Sequence, residues 1–200
     1  NPDNAPAWIN RGKALAGLGR LQEAIVSFDR ANTLNPKFAG TWLYRGNALA
    51  ELGKFADAVD SYDRAISLLS TIPEMWYKRG LALGGLGRHA DALASFDKTI
   101  ALDPGYAAAW TYRAVALSEL GQPDKALAAY DRAVALNPEN ARAWYNRANV
   151  LSGLSREVEA VDSYDHAIAA GGDSAAQGLL GASSGSVVAA CAIVTRAPGL

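Results

Sequence analysis

The stretch from Thr41 to Leu69, TWLYRGNALAELGKFADAVDSYDRAISLL, decides the fold, because its skeleton returns along most of the chain at one interval. Trp8, Trp42, Trp76, Trp110 and Trp144 stand 34 residues apart and account for all 5 tryptophans. In the same register come Arg11, Arg45, Arg79, Arg113 and Arg147, then Leu15, Leu49, Leu83, Leu117 and Leu151. Ala24, Ala58, Ala92, Ala126 and Ala160 follow, and then the rings Phe28, Tyr62, Phe96, Tyr130 and Tyr164. An acid follows every ring: Asp29, Asp63, Asp97, Asp131 and Asp165.

Within one unit the apolar spacing is helical. Trp42, Ala48, Leu49 and Leu52 fall on one stripe, and Ala58, Val59, Tyr62, Ala65, Ile66 and Leu69 fall on another, so each unit holds two helices. Leu18-Gly19, Leu52-Gly53, Leu86-Gly87 and Leu120-Gly121 separate them, since glycine closes a helix by turning left-handed. Pro36, Pro104 and Pro138 end the second helix, while Pro6, Pro73 and Pro123 sit at helix openings, where a missing N–H costs little. Gly12, Gly46, Gly80, Ala114 and Ala148 come four after each tryptophan and predict a close approach of the two helices. One hairpin cannot hide its apolar stripe alone, so neighbours must stack.

The totals fit a repeat array and exclude several functions. Of 200 residues, 50% are apolar and 20% charged, and a net charge of -1 provides no field for a polyanion or an acidic membrane. Nucleic acid is therefore not an expected partner. One cysteine, Cys191, forms no internal disulfide, and with 2 histidines it makes no structural zinc site. The longest uncharged apolar run, Val187 to Val194, is far shorter than the ~20 residues that span a bilayer. The only methionine is Met75, so the chain reads as an excerpt or a processed piece.

Together these positions resemble the tetratricopeptide repeat, a helical hairpin with a period of about 34 residues. The resemblance implies an all-α fold, a right-handed α-solenoid of antiparallel hairpins. Five units are expected at 5–38, 39–72, 73–106, 107–140 and 141–170. Two departures stand out: the family signature has Leu three after Trp where this chain has Arg, and Tyr seven after Trp where it has Leu. Residues 1–4 align with Asn137-Pro138-Glu139-Asn140 and read as the end of a preceding repeat. From Gly171 the register fails, with Gly178 in the next tryptophan's slot. Residues 171–200, rich in Gly, Ala and Ser, are expected to be a poorly ordered or docked tail.

Several residues invite a chemical reading and have a plainer one. The five arginines lie beside the seam between helices, so they are expected to pair with neighbouring acids or carbonyls within and between units. The tryptophans are expected to be packing residues, not a stacking ladder for bases or sugars. His89 opens a second helix and His166 replaces the basic residue after Asp165, both read as exposed polar positions. Neither has a Ser, Cys or carboxylate in register that completes a catalytic constellation, so no enzyme activity, cofactor or metal is expected. Gly84-Gly85-Leu86-Gly87 has neither the preceding strand nor the Gly-Lys-Ser/Thr of a phosphate loop and reads as a turn.

The resemblance further implies a concave groove lined by first helices, at positions two before, one after, two after and five after each tryptophan. In the first unit these are Pro6, Ile9, Asn10 and Lys13; in the second, Gly40, Leu43, Tyr44 and Asn47; in the third, Glu74, Tyr77, Lys78 and Leu81. The fourth unit supplies Ala108, Thr111, Tyr112 and Val115, and the fifth Arg142, Tyr145, Asn146 and Asn149. Such a surface is amphipathic, with tyrosines to grip a peptide and amides to bond its backbone. Family members that hold the acidic tails of heat-shock chaperones carry a clamp of Lys, Asn, Asn, Lys and Arg. Here Ile9 and Glu74 occupy two of its places, so that activity is not carried over.

The expected function is a non-catalytic scaffold or adaptor that binds a protein or peptide segment in the groove. Two alternatives have their own logic: self-assembly through the array's ends or tail, and service as the recognition arm of a larger enzyme. A lone thiol points to a reducing, cytoplasmic setting.

Overall fold

Ten α-helices and no strand occur among the residues that the computed structural model describes, 3–180. They are α1 (Ala5–Gly17), α2 (Leu21–Leu34), α3 (Ala39–Glu51), α4 (Phe55–Leu68), α5 (Pro73–Gly85), α6 (His89–Leu102), α7 (Ala107–Glu119), α8 (Pro123–Leu136), α9 (Ala141–Gly153) and α10 (Glu157–Leu180). Short connections make successive helices antiparallel, each packs on the next, and the result is an all-α solenoid.

The turn inside each hairpin is fixed by backbone chemistry. Gly19, Gly53, Gly87 and Gly121 take φ of 72, 73, 72 and 68°. In the first hairpin Gly19 N–H donates to Ala16 and Arg20 N–H to Leu15, which caps the end of α1. In the fifth unit Ser155 is forced into the same conformation at φ 58°, and Arg156 N–H still reaches the Leu151 carbonyl. Between units the tryptophans act as pins. The indole N–H groups of Trp42, Trp76, Trp110 and Trp144 donate to the carbonyls of Pro36, Ser70, Pro104 and Pro138 at 2.8–3.1 Å. Their rings are half-buried against the seams, in keeping with a packing role.

Close approach within a hairpin depends on Gly12, Gly46 and Gly80. A Cβ on each would lie 2.4, 2.5 and 2.6 Å from a ring carbon of Phe28, Tyr62 and Phe96, so the second-helix ring occupies the side chain's space. One core runs from Leu15 in α1 through Phe28, Tyr62, Leu83 and Phe96 to Ala116 in α7. Beyond it the interior divides into three smaller groups, centred on Tyr130, on Leu151 and on Val134 with Ala143.

The repeated arginines bridge units, as their position beside the seam predicts. Nε of Arg45, Arg79, Arg113 and Arg147 donates to Asp29, Asp63, Asp97 and Asp131 of the preceding unit at 2.5–2.7 Å. Nη1 of Arg45 and Arg79 donates to Ser61 and Ser95 of the same unit at 2.6 and 2.7 Å; Arg11 and Arg147 do the same to Ser27 and Ser163. Arg11, Arg113 and Arg147 also lie over the rings of Trp8, Trp110 and Trp144 at 5.6, 5.7 and 5.7 Å. Each serine hydroxyl in turn donates to the carbonyl one turn back, as Ser61 does to Asp57.

At the array's far end α10 continues to Leu180, so the first part of the segment read as a tail is helical. The rest of that segment, 181–200 with its apolar run Val187 to Val194, lies outside the described residues, as do residues 1–2.

Candidate functional site

The first helices of successive units touch one another, α1 to α3, α3 to α5, α5 to α7 and α7 to α9, and no comparable contact joins successive second helices. The array therefore closes up along its odd helices, and those helices form its inner side. That surface carries side chains that vary from unit to unit on a fixed frame.

Along the inner helices the expected groove residues differ in depth. Asn10, Lys13 and Asn149 are exposed, and Ile9, Tyr44, Asn47, Lys78, Val115, Arg142, Tyr145 and Asn146 are half-buried. Leu43, Tyr77, Leu81, Thr111 and Tyr112 are only 9, 5, 7, 4 and 7% exposed, which makes them part of the interior. The physical reason is ring packing between the third and fourth units. Tyr77 meets Phe96, Tyr106 and Tyr112 at centroid distances of 6.1, 5.0 and 5.9 Å, and Phe96 meets Tyr112 at 6.0 Å. Tyr77 and Tyr112 thus brace one another within the fold, and Tyr112 also lines a notch between the third and fourth units. Thr111 likewise donates its hydroxyl to the Ala107 carbonyl.

Two of the amides also have internal duties. Tyr62 O–H donates to Asn47 Oδ1 at 2.9 Å, and Tyr164 O–H to Asn149 Oδ1 at 2.7 Å. Units with Tyr62 and Tyr164 carry asparagine at this place and units with Phe28 and Phe96 carry Lys13 and Leu81, while the fourth unit departs from the pattern with Tyr130 and Val115. Each amide keeps its NH2 for another acceptor. In the fourth unit burial pushes the Tyr130 hydroxyl well above the usual phenol range.

Cations add to the surface. Lys13 Nζ stands 5.2 Å from the Tyr44 ring centre and the Arg142 guanidinium 6.0 Å from that of Tyr112, so each lies over an aromatic of the neighbouring unit. Between the third and fourth units lies a shallow apolar notch lined by Gly80, Leu81, Gly84, His89, Ala92, Phe96, Tyr112, Val115 and Ala116. It opens where three side chains shrink relative to the preceding unit: Gly84 stands in the place of Ala50, His89 in that of Phe55, and Val115 in that of Leu81. Of this lining Leu81, Tyr112 and Val115 are among the expected groove residues, whereas Gly84, His89 and Ala92 lie outside the offsets from tryptophan that name the groove.

The histidines differ in part from expectation. His89 is half-buried at the notch, because its ring takes the place that Phe55 fills in the preceding unit. His166 is exposed but stacks on Trp144 at a centroid distance of 4.4 Å and bonds the Asp162 carbonyl through Nδ1. Among the described residues no group of three or more His, Cys, Asp or Glu is placed to hold a metal, and no helix is long and apolar enough to cross a membrane.

Repeated hairpins pinned by tryptophan, with a variable inner face, define a helical-repeat scaffold for protein interaction. The chain belongs to the tetratricopeptide repeat family: models described as "Tetratricopeptide repeat" match residues 5–38, 77–121, 107–140 and 129–162, and one described as "TPR repeat" matches 46–87. No curated protein matches the chain in a sequence comparison. Among solved structures, MamA from Desulfovibrio magneticus RS-1 superposes with a TM-score of 0.79 at 20% identity, over 83% of this chain and 94% of that one. YrrB, a TPR protein described as having an unusual peptide-binding site, superposes with a TM-score of 0.75 at 22% identity, over 91% of this chain and 93% of that one. The pilF protein of Pseudomonas aeruginosa gives 0.75 at 18% identity, over 97 and 90%. At these identities the likeness concerns the fold alone.

Proposed function

We propose that the chain is a non-catalytic adaptor whose inner face binds an extended protein segment. The single observation that carries this reading is the notch between the third and fourth units, an apolar recess on the face where first helices converge. Its lining ring Tyr112 lies beneath the half-buried guanidinium of Arg142, which sets a cation beside the apolar recess. The ring cluster beneath supports the reading in another way: a face braced from inside is formed before the ligand arrives, so little ordering cost falls on the receptor. YrrB, described as binding peptide, makes the same use of a similar frame plausible for this chain. A cytoplasmic setting goes with the reading, since the lone Cys191 offers no internal disulfide.

Selection of a random-peptide display library on the folded chain tests it. Enriched peptides should bind at least tenfold more weakly to Lys78→Glu and to Tyr145→Ala, two half-buried positions whose substitution should leave circular dichroism unchanged. Enriched peptides whose affinity ignores both substitutions, or a selection that enriches none, would overturn the groove assignment.

A further inference from the structure

The notch between the third and fourth units is apolar except along one wall. That wall is His89, the first residue of α6, half-buried at the place where Leu21, Phe55 and Pro123 stand in the first, second and fourth units. Its imidazole makes no hydrogen bond or ion pair among the described residues, whereas His166 engages the Asp162 carbonyl through Nδ1. Arg88 and Asp91, the charged neighbours of His89 on α6, pair with each other at 2.7 Å instead. As a filler the imidazole is a poor substitute for the phenyl ring of Phe55. It is smaller, and it carries two nitrogens that apolar packing leaves without partners.

The recess beside it is small. Relative to the preceding unit, Gly84 lacks the methyl of Ala50, Val115 is a methylene shorter than Leu81, and the imidazole is narrower than the Phe55 ring. A gap of that order admits a methyl group and not a ring. Its other walls are held in place, since Phe96 and Tyr112 stack at a centroid distance of 6.0 Å. The notch therefore joins a methyl-sized apolar recess to a single unpartnered polar group.

Granted that the inner face holds an extended segment, we propose that the notch selects a threonine in that segment, whose methyl enters the recess while its hydroxyl bonds the His89 imidazole. A neutral imidazole offers one acceptor nitrogen and one N–H, and a hydroxyl both donates and accepts, so the match survives either tautomer. Valine has the same shape, but it covers the imidazole without giving it a partner, and a polar group buried without one costs affinity. Serine meets the imidazole and leaves the recess unfilled. Selection thus falls to Gly84, His89 and Val115, the residues at which this unit pair departs from the preceding one.

Peptides that display selection enriches on the full chain, synthesised singly, test this. They should share a threonine. Replacing it by valine should weaken binding by roughly fivefold or more, and by serine about threefold. The chain has 2 histidines, so imidazole proton resonances report on the contact directly. The threonine peptide should shift those of His89, the valine peptide should shift them less, and neither should move those of His166. His89→Phe, which restores the residue of the second unit, should keep at least the wild-type urea midpoint and bind the threonine and valine peptides equally. Peptides that lose affinity for Lys78→Glu and Tyr145→Ala yet share no threonine, that accept valine at no cost, or that still prefer threonine on His89→Phe would overturn the role of the notch and leave groove binding standing. A selection that enriches no peptide would overturn both.

Discussion

The guanidinium three residues after Trp42, Trp76 and Trp144 holds three helices at once. Arg45 sits on α3, donates backward to Asp29 on α2 and forward to Ser61 on α4. A leucine there would fill volume without fixing an angle, whereas the planar fork accepts two partners only in one orientation. Serine within a helix is ordinarily a mild liability, since its hydroxyl competes for the carbonyl one turn back. Here Ser61 makes that bond and still offers a lone pair to the arginine. The fourth unit breaks the pattern: Ala129, 1% exposed, replaces the serine, and Arg113 keeps the Asp97 bond and its place over Trp110. Ala129→Ser should therefore stabilise the chain by about 0.5–1.5 kcal/mol, and Ser95→Ala should destabilise it by about 1–3 kcal/mol by leaving Arg79 Nη1 without its buried acceptor. Urea titration of both variants measures the pair, and a shared sign would remove the bridging role from the serine.

Each hairpin was legible because its devices recur in register: a glycine that turns left-handed, an indole that pins the preceding turn, a small residue under a ring. Period and residue type suffice to place such features, and the arginine pairs followed because an Arg on one helix and an Asp on the last must meet if units stack. Depth was not legible. A fixed offset from tryptophan names a face of the helix, but Tyr77 is long enough to fold back from that face onto Tyr106, which belongs to the loop before α7. Val115 and Gly84 are short enough to leave the notch open. Tyr77→Ala is accordingly a stability variant. It should cost about 3–5 kcal/mol, the range for truncating a buried aromatic, and flatten the packing of Phe96 and Tyr112 with it. A urea midpoint within error of the wild type would return Tyr77 to the ligand-facing surface.

For the molecule as a whole, stability is the sum of hairpins and seams, and the seams are unequal. The core that begins at Leu15 runs unbroken to Ala116, with Met75, Tyr77 and Leu81 filling the middle seams. Across α8–α9 the interior falls into separate groups, Leu127 with Leu151 in one and Ala133, Val134 and Ala143 in another. The α2–α3 seam carries a fault of another kind. Asn32, 5% exposed, takes the place of Ile66, Ile100 and Val134, and neither atom of its amide has a partner. A buried amide without hydrogen bonds costs roughly 1–3 kcal/mol. Ser155 adds left-handed strain in the last hairpin, at a turn where the other units use glycine. The array should therefore open from both ends toward its centre. In native-state hydrogen exchange, amides of α5 and α6 should exchange slowest, those of α1, α9 and the start of α10 fastest, and urea should collapse the difference only near the global transition. Equal protection in all five hairpins would mean that the seams transmit cooperativity regardless of what fills them, and would remove the divided core and Asn32 as the sources of the gradient.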